Sequence, residues 1–329
     1  MSSSDELLSK VEQRLLDELL AFRAALPADP PPKVGRLKRV RLAGKRHGRR
    51  LQNAAVAVAS LALATVIAVH YLSGSTVSLA ATPRALAYHL PAGDTLSGRG
   101  ELLKLATAAA RQPAPAATHP RYAYTKTMGW YLGTRVDGQA TTSVVIPSTT
   151  QSWAAPDGTT HVHRVFTNRA DGSRSVDDFA YGKGPVPRQL STDEAMLARQ
   201  LALGHPLSNG PVETFMALTD LALLQPIAPG AESAILRLLA RTPALINRGS
   251  VIDRAGRRGV AVALDSNYSG LLTRYTWIFD PHTGALLGNE EMLIDPGKLH
   301  VRKGSVISYT TYLSSGWTSS ASSPPQGRG

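Results

Sequence analysis

From Leu51 to Leu72 the chain runs apolar without a charged side chain, with AVAVASLALATVIAVHYL at the centre of the stretch. As a helix these 22 residues reach about 33 Å, enough to cross the ~30 Å hydrocarbon core of a bilayer. Lys33 to Arg50, immediately before it, carries nine Lys/Arg and no Asp or Glu. A cationic flank of that density stays on the cytoplasmic side. The expectation is a single-pass plasma-membrane protein with its N-terminus inside and about 257 residues outside. The run is too long, and lies too far into the chain, for a cleaved signal peptide, so an uncleaved signal anchor is expected.

The net charge of +12 divides unevenly, with −3 on residues 1–32, +9 on residues 33–50 and +6 on the rest. The basic excess therefore belongs mainly to the membrane flank. There it sets topology and attracts anionic membrane lipid, and no nucleic acid is needed to explain it. The chain has no cysteine, which removes disulfides, thiolate nucleophiles and Cys-based zinc sites.

Boundaries follow from composition and periodicity. Residues 1–32 are a cytoplasmic segment in which Leu7, Leu8, Val11, Leu15, Leu19 and Phe22 make residues 5–26 an amphipathic helix, ended by Pro27 and Pro30–Pro32. Residues 33–50 are the basic juxtamembrane segment and 51–72 the transmembrane helix. Residues 73–120 hold a helix at Gly100–Arg111 and a Pro/Ala connector, 121–313 an extracytoplasmic domain, and 314–329 a disordered Ser/Pro/Gly tail.

Within 121–313 the period changes twice. In Arg121–Thr134 the even positions Tyr122, Tyr124, Met128, Trp130 and Leu132 are large, while Thr125, Thr127 and Gly129 occupy the alternate positions. That is a strand with its aromatic face buried, interrupted by Lys126 near a rim. Turns at Asp137-Gly138, Pro156-Asp157-Gly158 and Asp171-Gly172 separate Ala140–Trp153 and Thr160–Asn168, for three or four antiparallel strands. Helices follow at Ala195–Leu203, behind a Ser191/Glu194 capping box, at Val212–Leu224 after Pro211, and at Ala231–Arg241. Strands return at Gly249–Asp253, Gly259–Ser266, Leu271–Asp280, Ala285–Ile294 and Ser305–Leu313, with hairpins at Asp253–Gly256 and Asp280–Gly284. The fold class is therefore α+β: a curved antiparallel sheet of about 7 strands with an inserted group of about 3 helices. Its concave face is left partly open, and a ligand-sized cavity would lie there.

Catalytic patterns are weak. His161 and His163 share a strand face but lack a third metal ligand nearby. The acid pairs Asp177-Asp178, Asp193-Glu194 and Glu290-Glu291 are neighbours whose side chains diverge. No nucleophile elbow, phosphate loop or His-Glu-x-x-His sequence occurs, and Arg257-Arg258 reads as a solvated turn tip. No enzyme, cofactor or metal is expected. Trp130, Trp153, Tyr275 and Trp277 fall on strands; they read first as core packing, the alternative being the lining of an apolar pocket for a lipid, acyl chain or hydrophobic peptide.

GELLKLATAAARQP, RYAYTKTMGW, the Trp153–Gly158 loop, RLLARTPALI, DRAGRRGVAVAL and DPHTGALL together resemble an actinobacterial family of uncharacterised single-span membrane proteins. Such proteins are often encoded beside an extracytoplasmic-function sigma factor. Their outer domains are similar to LolA-like half-barrels and to stress-sensing periplasmic regulators. The resemblance implies a cavity under the sheet and transfers no binding residue. A zinc-type anti-sigma domain carries a His-x-x-x-Cys-x-x-Cys helix, which this chain lacks, so a direct anti-sigma role is not implied. The leading expectation is a membrane-anchored extracytoplasmic binding or sensor protein. Residues 5–26 would meet a cytoplasmic sigma factor or regulator, and the outer domain an envelope lipid or protein. The alternative is a lipid or lipoprotein carrier, and a third reading is an envelope hydrolase.

Overall fold

The computed structural model describes residues 82–90, 97–113, 122–137, 140–156, 159–167, 174–181, 189–297 and 301–325. The cytoplasmic helix, basic segment and apolar span assigned to residues 1–72 lie outside them. So do the Gly138, Asp157-Gly158 and Asp171-Gly172 turn positions and most of the Pro/Ala connector. Among the described residues no helix is long and apolar enough to cross a membrane.

Ten strands form one sheet: β1 (Tyr88–His89), β2 (Tyr122–Asp137), β3 (Ala140–Ala154), β4 (Thr160–Thr167), β5 (Arg174–Tyr181), β6 (Ile246–Ile252), β7 (Arg258–Ser266), β8 (Thr273–Phe279), β9 (Leu286–Leu293) and β10 (Val306–Thr318). Their spatial order is β1-β6-β7-β8-β9-β10-β2-β3-β4-β5, and every neighbouring pair is antiparallel. Two meanders, β2–β5 and β6–β10, are joined by the β10–β2 pairing. The chain leaves the first meander at the β5 edge and must re-enter at β6, eight strand spacings along the sheet or about 38 Å at ~4.8 Å per strand. The connection crosses one face of the sheet, so its helices all cover the same side.

The connection holds α2 (Glu194–Leu201), a short 3₁₀ turn at Leu207–Asn209, α3 (Glu213–Leu224) and α4 (Pro229–Leu239), while α1 (Gly98–Ala110) precedes β2 and packs on α4. In α1, Leu102, Leu105, Ala106 and Ala109 recur at helical spacing and are buried, and the Ser97 hydroxyl caps the helix by accepting from Gly100 N at 3.1 Å. These four residues belong to the main core, so the boundary drawn at residue 120 does not set α1 apart from the sheet domain. The cap of α2 is Asp193, accepting from Met196 N at 2.9 Å, rather than the expected Ser191. Ser191 accepts from the Asp193 N–H instead, and Glu194 turns to α4 to pair with Arg237 (2.8 Å) and Arg241. Pro229 opens α4, where its fixed φ suits the first turn.

Cross-strand partners share a face, so the register sorts every side chain. Val262, Leu264, Tyr275, Trp277, Phe279, Leu286 and Tyr312 face the helices and form the core with Phe215, Leu218, Ile235 and Leu236. Val251, Ala261, Ile278 and Leu287 face the other way, under Leu86 and Tyr88. Strand β2 was expected to bury its aromatic face and leave its threonine face free; both are buried. Thr125 and Thr127 lie beneath the helices because Thr125 donates to Leu223 O, at the end of α3, at 2.6 Å. A hydroxyl that caps a buried carbonyl costs little to bury. Trp130, which lies against Tyr309, is fully buried on the opposite face.

Pro147 is tolerated inside β3 because the β4 register ends at Ser148↔Phe166, so no ladder bond is needed on that side. Strand β10 continues to Thr318 past the boundary set at 313, and a register shift between Tyr312 and Ser314 switches which residues face the helices. Beyond it the tail turns back, with Ser323 O accepting from Trp153 Nε1 at 3.0 Å.

At the Asp280–Gly284 hairpin, Asp280 accepts from His282 N and Thr283 N, and Gly284 sits at φ +75°. A Cβ there would meet Leu105 O at 2.9 Å and Ala109 Cβ at 3.0 Å. Gly284→Ala is expected to cost about 1–3 kcal/mol from backbone strain, plus the contact. A melting temperature lower by several degrees is the expected readout; an unchanged one would show that α1 does not rest on this turn.

Candidate functional site

The helix-covered face has two halves. Under β7 and β8 it is apolar: Phe215 stacks on Trp277 with centroids 4.1 Å apart, and Tyr275 lies 6.2 Å from Trp277 at 18°. Under β10, β2, β3 and β4 it presents Ser308, Thr310, Tyr131, Thr127, Ser148, Thr150 and Arg164. Where the halves meet, polar side chains from six elements converge.

Glu291 stands on β9 between Tyr275 of β8 and Ser308 of β10. Burial pushes its carboxyl up to about 7. Tyr131 Oη lies 3.2 Å from Thr310 Oγ1, and Tyr312 Oη donates to Thr219 O of α3 at 3.1 Å. Burial raises both phenols; Tyr131 also senses the charges of Arg164, Glu291 and Asp220. Tyr275 Oη accepts from Ser269 N at 3.2 Å, and Tyr268 meets the Tyr275 ring edge-on at 6.2 Å. Glu291 and Tyr131 are densely surrounded yet retain solvent access.

His205 ties the loop before α3 to that helix. Its Nδ1 lies 3.2 Å from Glu213 Oε1 and its Nε2 3.3 Å from Asp220 Oδ2. The hydrogen bond to Asp220 leads the causes that raise its pKa, so the imidazolium is favoured. Glu213 and Asp220 lie seven residues apart, two turns of α3, and therefore face the same way. The loop carrying His205 is thereby tied along the helix.

The four aromatic residues singled out from sequence are all buried, but they do not line one surface. Tyr275 and Trp277 face the helices, while Trp130 and Trp153 face the other side. Trp153 packs on Tyr124 at 5.3 Å and on His161 at 6.1 Å. His161 and His163 share that opposite face, with Trp153 and Gln151 as cross-strand partners. Among the described residues no group of three His, Cys, Asp or Glu could hold a metal ion.

The divergence expected of Glu290-Glu291 is present, and each acid has its own buried setting. On the opposite face Arg254 pairs with Glu290 and also lies 4.1 Å over the Tyr309 ring. Tyr88 donates to Glu290 at 3.3 Å, under Arg248 at 4.1 Å from its ring. Of Arg257-Arg258, Arg258 is exposed as expected, whereas Arg257 pairs with Asp253 and donates to Leu287 O. His205, Glu213, Asp220, Glu291 and Tyr131 were not visible as a group in the sequence. They come from a loop, a helix and two strands up to 160 positions apart, with only the α3 pair at helical spacing.

No protein-family model matches the chain, and no curated protein matches it. Among solved structures, a DUF1329 family protein from Desulfovibrio piger overlaps 67% of this chain and 91% of its own, with 10% identity and a TM-score of 0.21. The dehydratase domain from the CurF module of curacin polyketide synthase overlaps 68% and 84%, with 11% identity and a TM-score of 0.11. Overlaps this slight assign neither fold nor role. The class of protein is defined by strand order and register: a ten-stranded antiparallel sheet with four helices on one face among the described residues.

Proposed function

We propose that this chain is a membrane-anchored extracytoplasmic binding protein whose ligand enters the recess between α3 and strands β8, β9, β10 and β2. The observation that carries the reading is the access kept by Glu291 and Tyr131 inside an otherwise filled domain. An interior acid and phenol open to solvent have hydrogen-bonding capacity that a ligand can use. The apolar run at 51–72 with its cationic flank supports the tether, and residues 5–26 are the arm through which occupancy would reach a cytoplasmic sigma-factor regulator. The polar lining favours a ligand with hydrogen-bonding groups; a carrier of bare acyl chains would need room where Phe215 and Trp277 stack.

Native mass spectrometry of the full chain, taken from its own membrane in a non-ionic detergent, tests the reading. A ligand adduct is expected on the wild type and is expected to be lost in Tyr131→Trp, which fills the recess. Bare protein that also takes up nothing from envelope extract would remove the proposal. A reporter fused after residue 80 is expected to be active outside the cytosol, and activity inside it would remove the tether.

A further inference from the structure

Between α2 and α3 the chain makes a short flap with a glycine at each end. Gly204 sits at φ +92° and Gly210 at φ +106°, and nothing lies within 4 Å of where a Cβ would stand at either. Glycines with room around them rotate at little steric cost, which is what a hinge needs. Between them Pro206, Leu207, Ser208 and Asn209 are exposed, Leu207 by 64%. The backbone bonds of this segment are short turns: His205 N donates to Ala202 O, Asn209 N to Pro206 O and Gly210 N to Leu207 O. The buried anchors Leu201 and Val212 lie outside the two glycines.

His205 is the exception. Among the described residues it is the one side chain of the flap with a hydrogen bond or ion pair to another element. Its two ring nitrogens meet two carboxylates of α3, Glu213 at 3.2 Å and Asp220 at 3.3 Å. A neutral imidazole has a single N–H, so one of these contacts would set a lone pair against a carboxylate. The doubly protonated ring satisfies both. The Glu213 side chain is 3% exposed, and a carboxylate that buried is costly without a cation opposite it.

We infer that residues 204–210 form a pH-operated flap, latched to α3 while the His205 imidazolium bridges Glu213 and Asp220, and released when that proton leaves. Glu213 and Asp220 face the ring from α3, and Tyr268 comes from the loop between β7 and β8. Burial, followed by Glu213 and Asp220, raises the Tyr268 phenol, and the raised phenols of Tyr131 on β2 and Tyr312 on β10 also feel Asp220. These phenols keep their protons through neutrality and supply no charge that could replace the imidazolium. The hydrogen bond to Asp220 leads the influences that raise His205 above 6.5, against the opposing effect of burial. A raised histidine gives its full contribution below about 6.5 and loses it as pH climbs through the folded value. The flap is therefore closed in mildly acid surroundings and free in alkaline ones. Release bares the Glu213 and Asp220 side of α3. No ligand takes part, so the flap stands or falls independently of the binding function proposed above.

Because the chain has no cysteine, Ser208→Cys gives a single attachment point for a nitroxide on the exposed flap. Spin-resonance spectra of the labelled full chain in non-ionic detergent, from pH 5.5 to pH 9, test the inference. The ratio of mobile to pinned label is expected to rise with a midpoint above 6.5, by about tenfold per pH unit beyond it, as loss of one proton requires. In the labelled chain Asp220→Asn removes one carboxylate and is expected to bring the midpoint down toward 6.5. His205→Gln is expected to leave the label mobile at every pH. A label of equal mobility at pH 5.5 and pH 9, or one more mobile in acid, would overturn the inference. So would a pH response that survives His205→Gln. A flat series on the chain altered only at Ser208 is decisive by itself, so misfolding of either further variant would not rescue the flap.

Discussion

Trp277→Ala is expected to destabilise the domain by about 3–5 kcal/mol, as large-to-small changes at fully buried aromatic positions do. Trp277 is 0% exposed, stacks on Phe215 at 4.1 Å, and donates from Nε1 to Thr219 Oγ1 at 3.2 Å. Both partners lie on α3, so the indole is the surface on which that helix rests. Truncation opens a cavity and also leaves the Thr219 hydroxyl without its donor. Urea denaturation should show a lower midpoint with an unchanged slope, because the surface exposed on unfolding is nearly the same. Pairing it with Phe215→Leu in a double-mutant cycle should return a coupling of about 0.5–1.5 kcal/mol for the ring contact. A loss below about 1 kcal/mol from Trp277→Ala would mean that α3 does not seat on β8 in this way.

Glu232→Gln is expected to act in the opposite sense, by an amount that grows as pH rises from about 5 to about 8. Glu232 lies in the first turn of α4, is 5% exposed, and has Oε1 without a partner. Burial raises its carboxyl from the ordinary 4.5 to about 8. A carboxyl whose pKa is raised by folding binds more protons in the folded chain. Its contribution is therefore fully present below pH 4.5 and is lost as pH rises through 8. The wild type should lose on the order of 4–5 kcal/mol across that interval from this group, at about 1.4 kcal/mol per pKa unit. Glutamine keeps the shape and cannot ionise, so the variant should match the wild type near pH 5 and exceed it by that amount at pH 9. Glu291 contributes a slope of the same sign in both proteins, so the difference between the two stability curves isolates Glu232. Equal stability at pH 5 and pH 9 would show that Glu232 finds water or a partner in the folded chain.

Much of the secondary structure could be read from local pattern. Helices expected at Gly100–Arg111, Ala195–Leu203, Val212–Leu224 and Ala231–Arg241 occur within two residues at most ends, because apolar spacing and turn residues act over a few positions. The Asp253 and Asp280 hairpins were equally plain, since an Asp side chain that accepts from the next backbone N–H groups builds its own turn. Two strands were less visible. β1 is two residues that pair only because β6 is beside them, and β5, RSVDDFAY, lacks clean alternation. The tail expected to begin at Ser314 is strand to Thr318, since β2 offers it a partner that composition cannot show.

Local chemistry thus settled the order of strands, helices and strands and the antiparallel hairpins. Periods of two and of 3.6 residues are properties of neighbours along the chain, and a sequence displays them directly. Which face of β2 lies under the helices, how β10 joins the two meanders, and how Glu291, Asn289 and Tyr131 come to share one sheet face depended on the return path from β5 to β6. That path is long-range: contacts across it follow from the packing of whole elements, and no window of adjacent residues contains them.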